Sequence, residues 1–146
     1  MELKVKLTDG APLPKHAKPG DAGLDLTSRE EVCIWPGDTR MVGTGIRCEI
    51  PEGYFGLVAP RSGLASKHNI TLANSPGIVD SGYRGEIKAA LINLGNEKYE
   101  VALGERVAQL IIVPYASVEC VPVDDLEDSV RGSGGFGSSG RVEIED

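Results

Sequence analysis

The stretch EVCIWPGDTRMVGTGIRCEIPEGYFGLVA (Glu31–Ala59) alternates short apolar, β-branched runs with turn residues. Glu31–Trp35, Thr39–Val42, Ile46–Ile50 and Tyr54–Ala59 are strand-like, and Pro36-Gly37 and Pro51-Glu52-Gly53 supply the turn geometry between them. Outward from this stretch the same texture continues. Lys4–Leu7, Glu86–Ile92, Glu100–Ala102, Arg106–Val113 and Val118–Val121 are further strand candidates, with Pro76-Gly77 and Gly95-Asn96 as breaks. Many short strands at close spacing predict an all-β sandwich or barrel. Ile111-Ile112-Val113 is unbroken, as in a strand buried on both faces. Ser62–Lys67 predicts one helical turn, and there is no internal repeat.

Composition agrees with that class. The 146 residues are 40% apolar and 25% charged, ordinary for one globular domain, and nineteen glycines with nine prolines argue against a helical bundle. Of the net charge of −7, residues 121–146 contribute −5, from seven acids against Arg131 and Arg141. Such a chain lacks the basic surface that releases counterions from DNA or RNA, so no nucleic-acid partner is expected. A small phosphate ligand held by a few arginines is compatible with this balance.

Cys33, Cys48 and Cys120 are odd in number and lack metal-ligand spacing, so they read as small apolar residues in a reducing compartment. With His16 and His68 as the histidines, a zinc site is not expected. The N-terminus MELKVKLTDG has no apolar signal core, and the apolar run Leu110–Val113 is too short to span a bilayer. A cytoplasmic location without a membrane partner is the expectation.

Five segments carry candidate chemistry. In RGSGGFGSSG (Arg131–Gly140), glycines let backbone N–H groups converge on an anion, Arg131 offers a fork donor, and Phe136 offers a face for a base. Composition alone reads this stretch as a flexible solvated tail; the grouped residues resemble a nucleotide lid. In PRSGLASK (Pro60–Lys67), Arg61, Ser62 and Gly63 stand where a helix would start. They form either an anion site or an N-cap Ser62 beside a surface arginine. NSPGIVDSGYRGEI (Asn74–Ile87) suggests a tight hairpin presenting Asp80 and Tyr83 at its tip. Alone, Asp80 reads more readily as a turn residue than as a general base. DAGLDL (Asp21–Leu26) puts Asp25 between leucines, and GERVAQL (Gly104–Leu110) puts Gln109 in an apolar strand. Each needs a polar partner.

Taken together and in this order, the five segments resemble the five motifs of trimeric dUTPases, over about Asp21 to Gly140. The resemblance implies a distorted jelly-roll core over 1–122 and a mobile C-terminal arm over 123–146, with the glycine-rich lid at 131–140. It also implies a homotrimer whose active sites are shared between subunits, and conversion of dUTP and water to dUMP and diphosphate, which keeps uracil out of DNA and supplies dUMP for thymidylate synthesis. By motif position, Asp80 would be the general base activating the water that attacks the α-phosphorus, and Gln109 would help hold that water. Arg61, Ser62 and Gly63 would bind the phosphate chain, with Arg131, Ser138 and Ser139 closing over its end and Phe136 and Gly137 completing the lid. Asn74 and the backbone of Gly77, Ile78 and Val79 toward Lys88 would read uracil, and Tyr83 would lie flat beneath the sugar. Asp25 would contact a Mg²⁺ through water. Ser138-Ser139 stands where many relatives have Ser-Thr, and Val79 where Ile is common.

Two rivals share these residues. A dCTP deaminase-like enzyme would need a proton-shuttling glutamate beside the base, and Glu86 is the acid near that motif besides Asp80. A non-catalytic dUTP-sensing module would bind without turnover, and intact Asp80 and Gln109 argue against it.

Overall fold

A computed structural model describes residues 1–8 and 10–136. Two four-stranded antiparallel sheets form the body. The first runs β1 (Lys4–Leu7), β4 (Thr39–Glu49), β8 (Ile87–Asn93), β6 (Ile70–Leu72). The second runs β2 (Leu24–Thr27), β10 (Arg106–Pro114), β5 (Tyr54–Pro60), β7 (Gly77–Val79). A ribbon of β3 (Val32–Ile34) and β9 (Tyr99–Val101) and a helix, α1 (Ser62–His68), complete it. Neighbours in each sheet are mostly distant in sequence, which is the crossing connectivity of a jelly roll.

Alternation places the core. In β8, Ile87, Ala89 and Leu91 are buried while Lys88 points out, and Val42, Ile46, Ile70, Leu26, Val107 and Leu110 meet them from the other strands. Each such aliphatic side chain contributes roughly 1.5–3 kcal/mol through burial. The buried Asn93 amide is satisfied on both ends: it donates to the Ile34 and Glu97 carbonyls at 2.9 and 2.8 Å and accepts from Gly95 N–H at 2.9 Å. That ties the β3–β9 ribbon to the end of β8.

Several expectations change. Thr39–Val42 and, up to Glu49, Ile46–Ile50 are parts of one strand, β4, interrupted against β8 by a register shift between Gly43 and Ile46. Gly45 takes φ +70 there, beneath Thr8 and Ala11, where a side chain has no room. The helix is longer than one turn, and β6 follows it unforeseen. Val118–Val121 is not a strand: Val118 and Val121 are 79% and 71% exposed and find no partner edge among the described residues. Among the described residues regular structure ends at Pro114, and residues 115–136 are exposed apart from the half-buried Gly135.

Candidate active site

Asp80 sits directly beyond β7, whose placement is set by β5: Gly56, Leu57 and Val58 pair with Val79, Ile78 and Gly77. Val79 is buried and Ile78 exposed, so the short strand is anchored by one face only. The following strand, β8, belongs to the other sheet. Asn74–Ile87 is therefore not a hairpin of two paired strands, because each strand has a longer partner elsewhere; it is a loop crossing from sheet to sheet. The crossing walls a cavity of about 600 Å³, bordered by Asn74, Gly77, Ile78, Val79, Asp80 and Tyr83, with Glu86 and Lys88 beyond.

Local bonds shape the loop. The Asp80 carbonyl accepts from Tyr83 N–H at 3.0 Å, and Arg84 Nη1 donates to the Ser81 and Tyr83 carbonyls at 2.6 and 3.0 Å. Tyr83 Oη donates to the Glu86 carbonyl at 3.0 Å. The Glu86 carboxylate is occupied: Oε1 accepts from Gly45 N–H at 2.9 Å and Oε2 lies 3.9 Å from Lys88 Nζ.

A second cavity, about 350 Å³, gathers Asp21, Asp25, Arg61, Ser62, Gly63 and Gln109. β10 carries Gln109 between its register partners Asp25 on β2 and Ala59 on β5. Gln109 Nε2 donates to the Pro60 carbonyl at 3.0 Å, which supplies the partner an amide in an apolar strand requires. Asp25 finds its partners too: Arg106 Nη1 at 3.1 Å and Arg61 Nε at 3.6 Å, while Arg61 Nη1 donates to the Arg106 carbonyl at 3.1 Å. The Ser62 cap is corrected. Arg61, with extended backbone, holds the N-cap position, no side chain caps the helix, and Ser62 is already its first residue.

The two cavities have no lining residue in common, so Asp80 and Gln109 face separate spaces in one chain. Arg131 and Phe136 line neither; Arg131 Nε donates to the Gly134 carbonyl at 2.9 Å and Phe136 is fully exposed. Gly137, Ser138 and Ser139 lie outside the described residues. Sequence reasoning missed Arg106, which shares Asp25 with Arg61, and Arg47, which borders the first cavity. Arg47 was legible in principle, as the outward residue between buried Ile46 and Cys48.

The donor set fits an outer-sphere magnesium role and not a direct cage. No group of three metal-ligating side chains exists among the described residues. Asp25 spends two contacts on arginines, and a carboxylate with about four acceptor positions keeps capacity for bound water. Mg²⁺ suits this, since it dehydrates reluctantly.

Fold and cavities together define the class: an antiparallel jelly-roll enzyme with one cleft bearing Asp80 and a separate one bearing Asp25, Arg61 and Gln109. A family model described as dUTPase matches residues 9–140. The chain belongs to the dUTPase family. It is 52% identical over 129 residues to the deoxyuridine 5′-triphosphate nucleotidohydrolase of Leifsonia xyli subsp. xyli, covering 88% of this chain and 85% of that one. With the protein of the same name from Nautilia profundicola it is 49% identical over 142 residues, covering 97% and 100%. Among solved structures it is similar to a Staphylococcus bacteriophage 80alpha dUTPase variant with dUpNHpp, at TM-score 0.90 and 32% identity over 96% and 99% of the two chains. It is also similar to a dUTPase variant of the S. aureus phage phi11, described for its coordination of a structural Mg(II) ion, at TM-score 0.81 and 28% identity over 88% and 100%. No helix among the described residues is long and apolar enough to cross a membrane.

Proposed function

We propose that this chain hydrolyses dUTP to dUMP and diphosphate as a cytoplasmic homotrimer, with each active site assembled from the two cavities of different subunits. The observation that supports this reading is the separation of two cavities in one chain: one is bordered by Asp80, Asn74 and Tyr83, the other by Asp25, Arg61, Ser62, Gly63 and Gln109.

In the first cavity Asp80 acts as general base. Among the described residues no side-chain donor holds its carboxylate, which leaves it open to a water. It orients that water, takes its proton, and directs the oxygen at the α-phosphorus, with the diphosphate leaving in line. Gln109 of a neighbouring subunit holds the water and the α-phosphate with its amide. Arg61, Ser62 and Gly63 bind the phosphate chain, and Arg131, Phe136, Gly137, Ser138 and Ser139 close over it from the arm, residues 123–146. Asp25 would hold a Mg²⁺ through bound water. When bound, that ion offsets the charge of the phosphates in a protein that is itself negative.

Uracil presents N3–H between two carbonyls, and the Asn74 amide with the backbone from Gly77 toward Lys88 matches that pattern. Cytosine leaves buried groups unpaired, at roughly 1–3 kcal/mol each. Tyr83 lies beneath the sugar and excludes a ribose 2′-hydroxyl, so UTP is spared. The product supplies dUMP for thymidylate synthesis, and the loss of dUTP keeps uracil out of DNA. Against deamination, the Glu86 carboxylate already accepts from Gly45 N–H and lies 3.9 Å from Lys88 Nζ.

The test is release of diphosphate and ammonia from dUTP, dCTP, dTTP and UTP, with and without Mg²⁺. Diphosphate from dUTP alone, increased by Mg²⁺, is the expected result. Ammonia from dCTP would install the deaminase reading, and dUTP binding without turnover would install the sensing module.

A further inference from the structure

Tyr83 is 47% exposed, on a loop between two sheets, so core packing does not fix its ring. Two contacts do. Its hydroxyl donates to the Glu86 carbonyl at 3.0 Å. Its ring edge also occupies the space beside Gly85: a Cβ there would overlap Oη and Cζ and stand 2.9 Å from Cε2. The φ of Gly85 lies outside the left-handed region, so its backbone would accept alanine without strain. Glycine is needed at 85 for the ring. Gly82, in the same loop, has nothing within 4 Å of the corresponding position.

The hydroxyl's acceptor is itself anchored. Glu86 Oε1 accepts from Gly45 N–H at 2.9 Å within the β4 irregularity, and the next carbonyl, Ile87, accepts from Thr44 Oγ1 at 2.5 Å. The loop end that receives Tyr83 is thus bolted to the first sheet.

We propose that Gly85 and the Glu86 carbonyl are positioning residues forming a seat for the Tyr83 ring, and that this seat sets the discrimination between deoxyribose and ribose triphosphates. The inference rests on the reading of Tyr83 as the sugar gate. An added methyl at 85 displaces the ring from this seat and so changes the space left for a 2′-hydroxyl.

The experiment measures kcat/KM for dUTP and for UTP in the full-length parent, Gly85→Ala, Tyr83→Ala and the double variant, with thermal melts alongside. Both single variants should lower the dUTP/UTP ratio about tenfold or more. The double variant should match Tyr83→Ala within about twofold, because Gly85 acts through the ring. If Tyr83→Ala lowers the ratio and Gly85→Ala does not, the seat is overturned while the gate stands. A double variant that falls by the product of the singles also overturns the seat. An unchanged ratio in Tyr83→Ala overturns the gate itself, and the seat with it. Should Gly85→Ala fail to melt cooperatively, Tyr83→Phe carries the test: losing the Glu86 contact should lower the ratio about three- to tenfold, and no change overturns the anchor.

Discussion

Asp25 and Gln109 are direct register partners across the β2–β10 ladder, so two residues from opposite ends of the core reach one cavity by strand pairing alone. Gly23 completes the arrangement. A Cβ at that position would overlap Gln109 Oε1, so the amide lies where a side chain would otherwise be. Gly23→Ala should displace Gln109 and lower kcat about ten- to a hundredfold, with the melting temperature little changed. Steady-state kinetics beside a thermal melt checks this, and unchanged kcat would remove Gln109 from the chemistry.

Asp80→Asn keeps the shape of the first cavity and removes the base. The kcat for dUTP should fall about 10²–10⁴-fold while affinity for a non-hydrolysable dUTP analogue is retained. Rapid-quench turnover and equilibrium titration separate the two quantities. Near-normal turnover would refute the assignment.

How much of this was legible in the chain varies with how local the deciding force is. Lys4–Leu7 is a strand at the expected residues because alternation and flanking breaks suffice there. Asp25 and Gln109 announced themselves as polar residues in apolar runs, and each has the partner such a place demands. Asn74–Ile87 is where local signals mislead: Gly77, Gly82 and Gly85 suggest a hairpin, but pairing of Gly77–Val79 with β5 or β8 is decided by which strand edge is near, a tertiary matter. Val118–Val121 has strand residues and no edge to join among the described residues. β4 shows the converse, since Gly43–Gly45 looks like a break and is absorbed as an irregularity within one strand. The division into two cavities had no signal in residue types; it follows from strand order within one sheet, which puts Asp25 on β2 and Gln109 on β10 at one side and leaves β7, which Asp80 follows, at the opposite edge.

Truncation after Val130 removes Arg131 and Phe136, and of the described residues it takes away all but the half-buried Gly135 are exposed. The shortened protein should melt within a few degrees of the parent and hydrolyse dUTP at a small fraction of its rate. Circular dichroism and diphosphate release are the measurements. Full kcat in the truncated form would eliminate the lid.

Tyr99 donates its hydroxyl to Glu105 and stacks on His68 at 4.9 Å between ring centroids. Burial, then the Glu105 hydrogen bond and charge, hold its phenol well above the usual tyrosine range. The folded state therefore binds its proton more tightly than the unfolded one. That contribution is fully present below pH about 10, the unfolded value, and is lost as pH rises toward the folded one. Tyr99→Phe should lower stability at pH 7 by about 1 kcal/mol and flatten the alkaline decline. Urea melts from pH 7 to 11 measure both, and an unaltered slope would contradict the pairing.

In the proposed assembly Asp80 of one subunit works with Arg61 and Gln109 of another. Asp80→Asn and Gln109→Ala chains, each inactive alone, are co-refolded and assayed for diphosphate release from dUTP. Random assembly into shared-site trimers should restore roughly a quarter of parent activity, because that share of sites pairs two intact halves. No recovery from a demonstrably mixed trimer would mean that the two cavities do not meet between chains, and the account would fail.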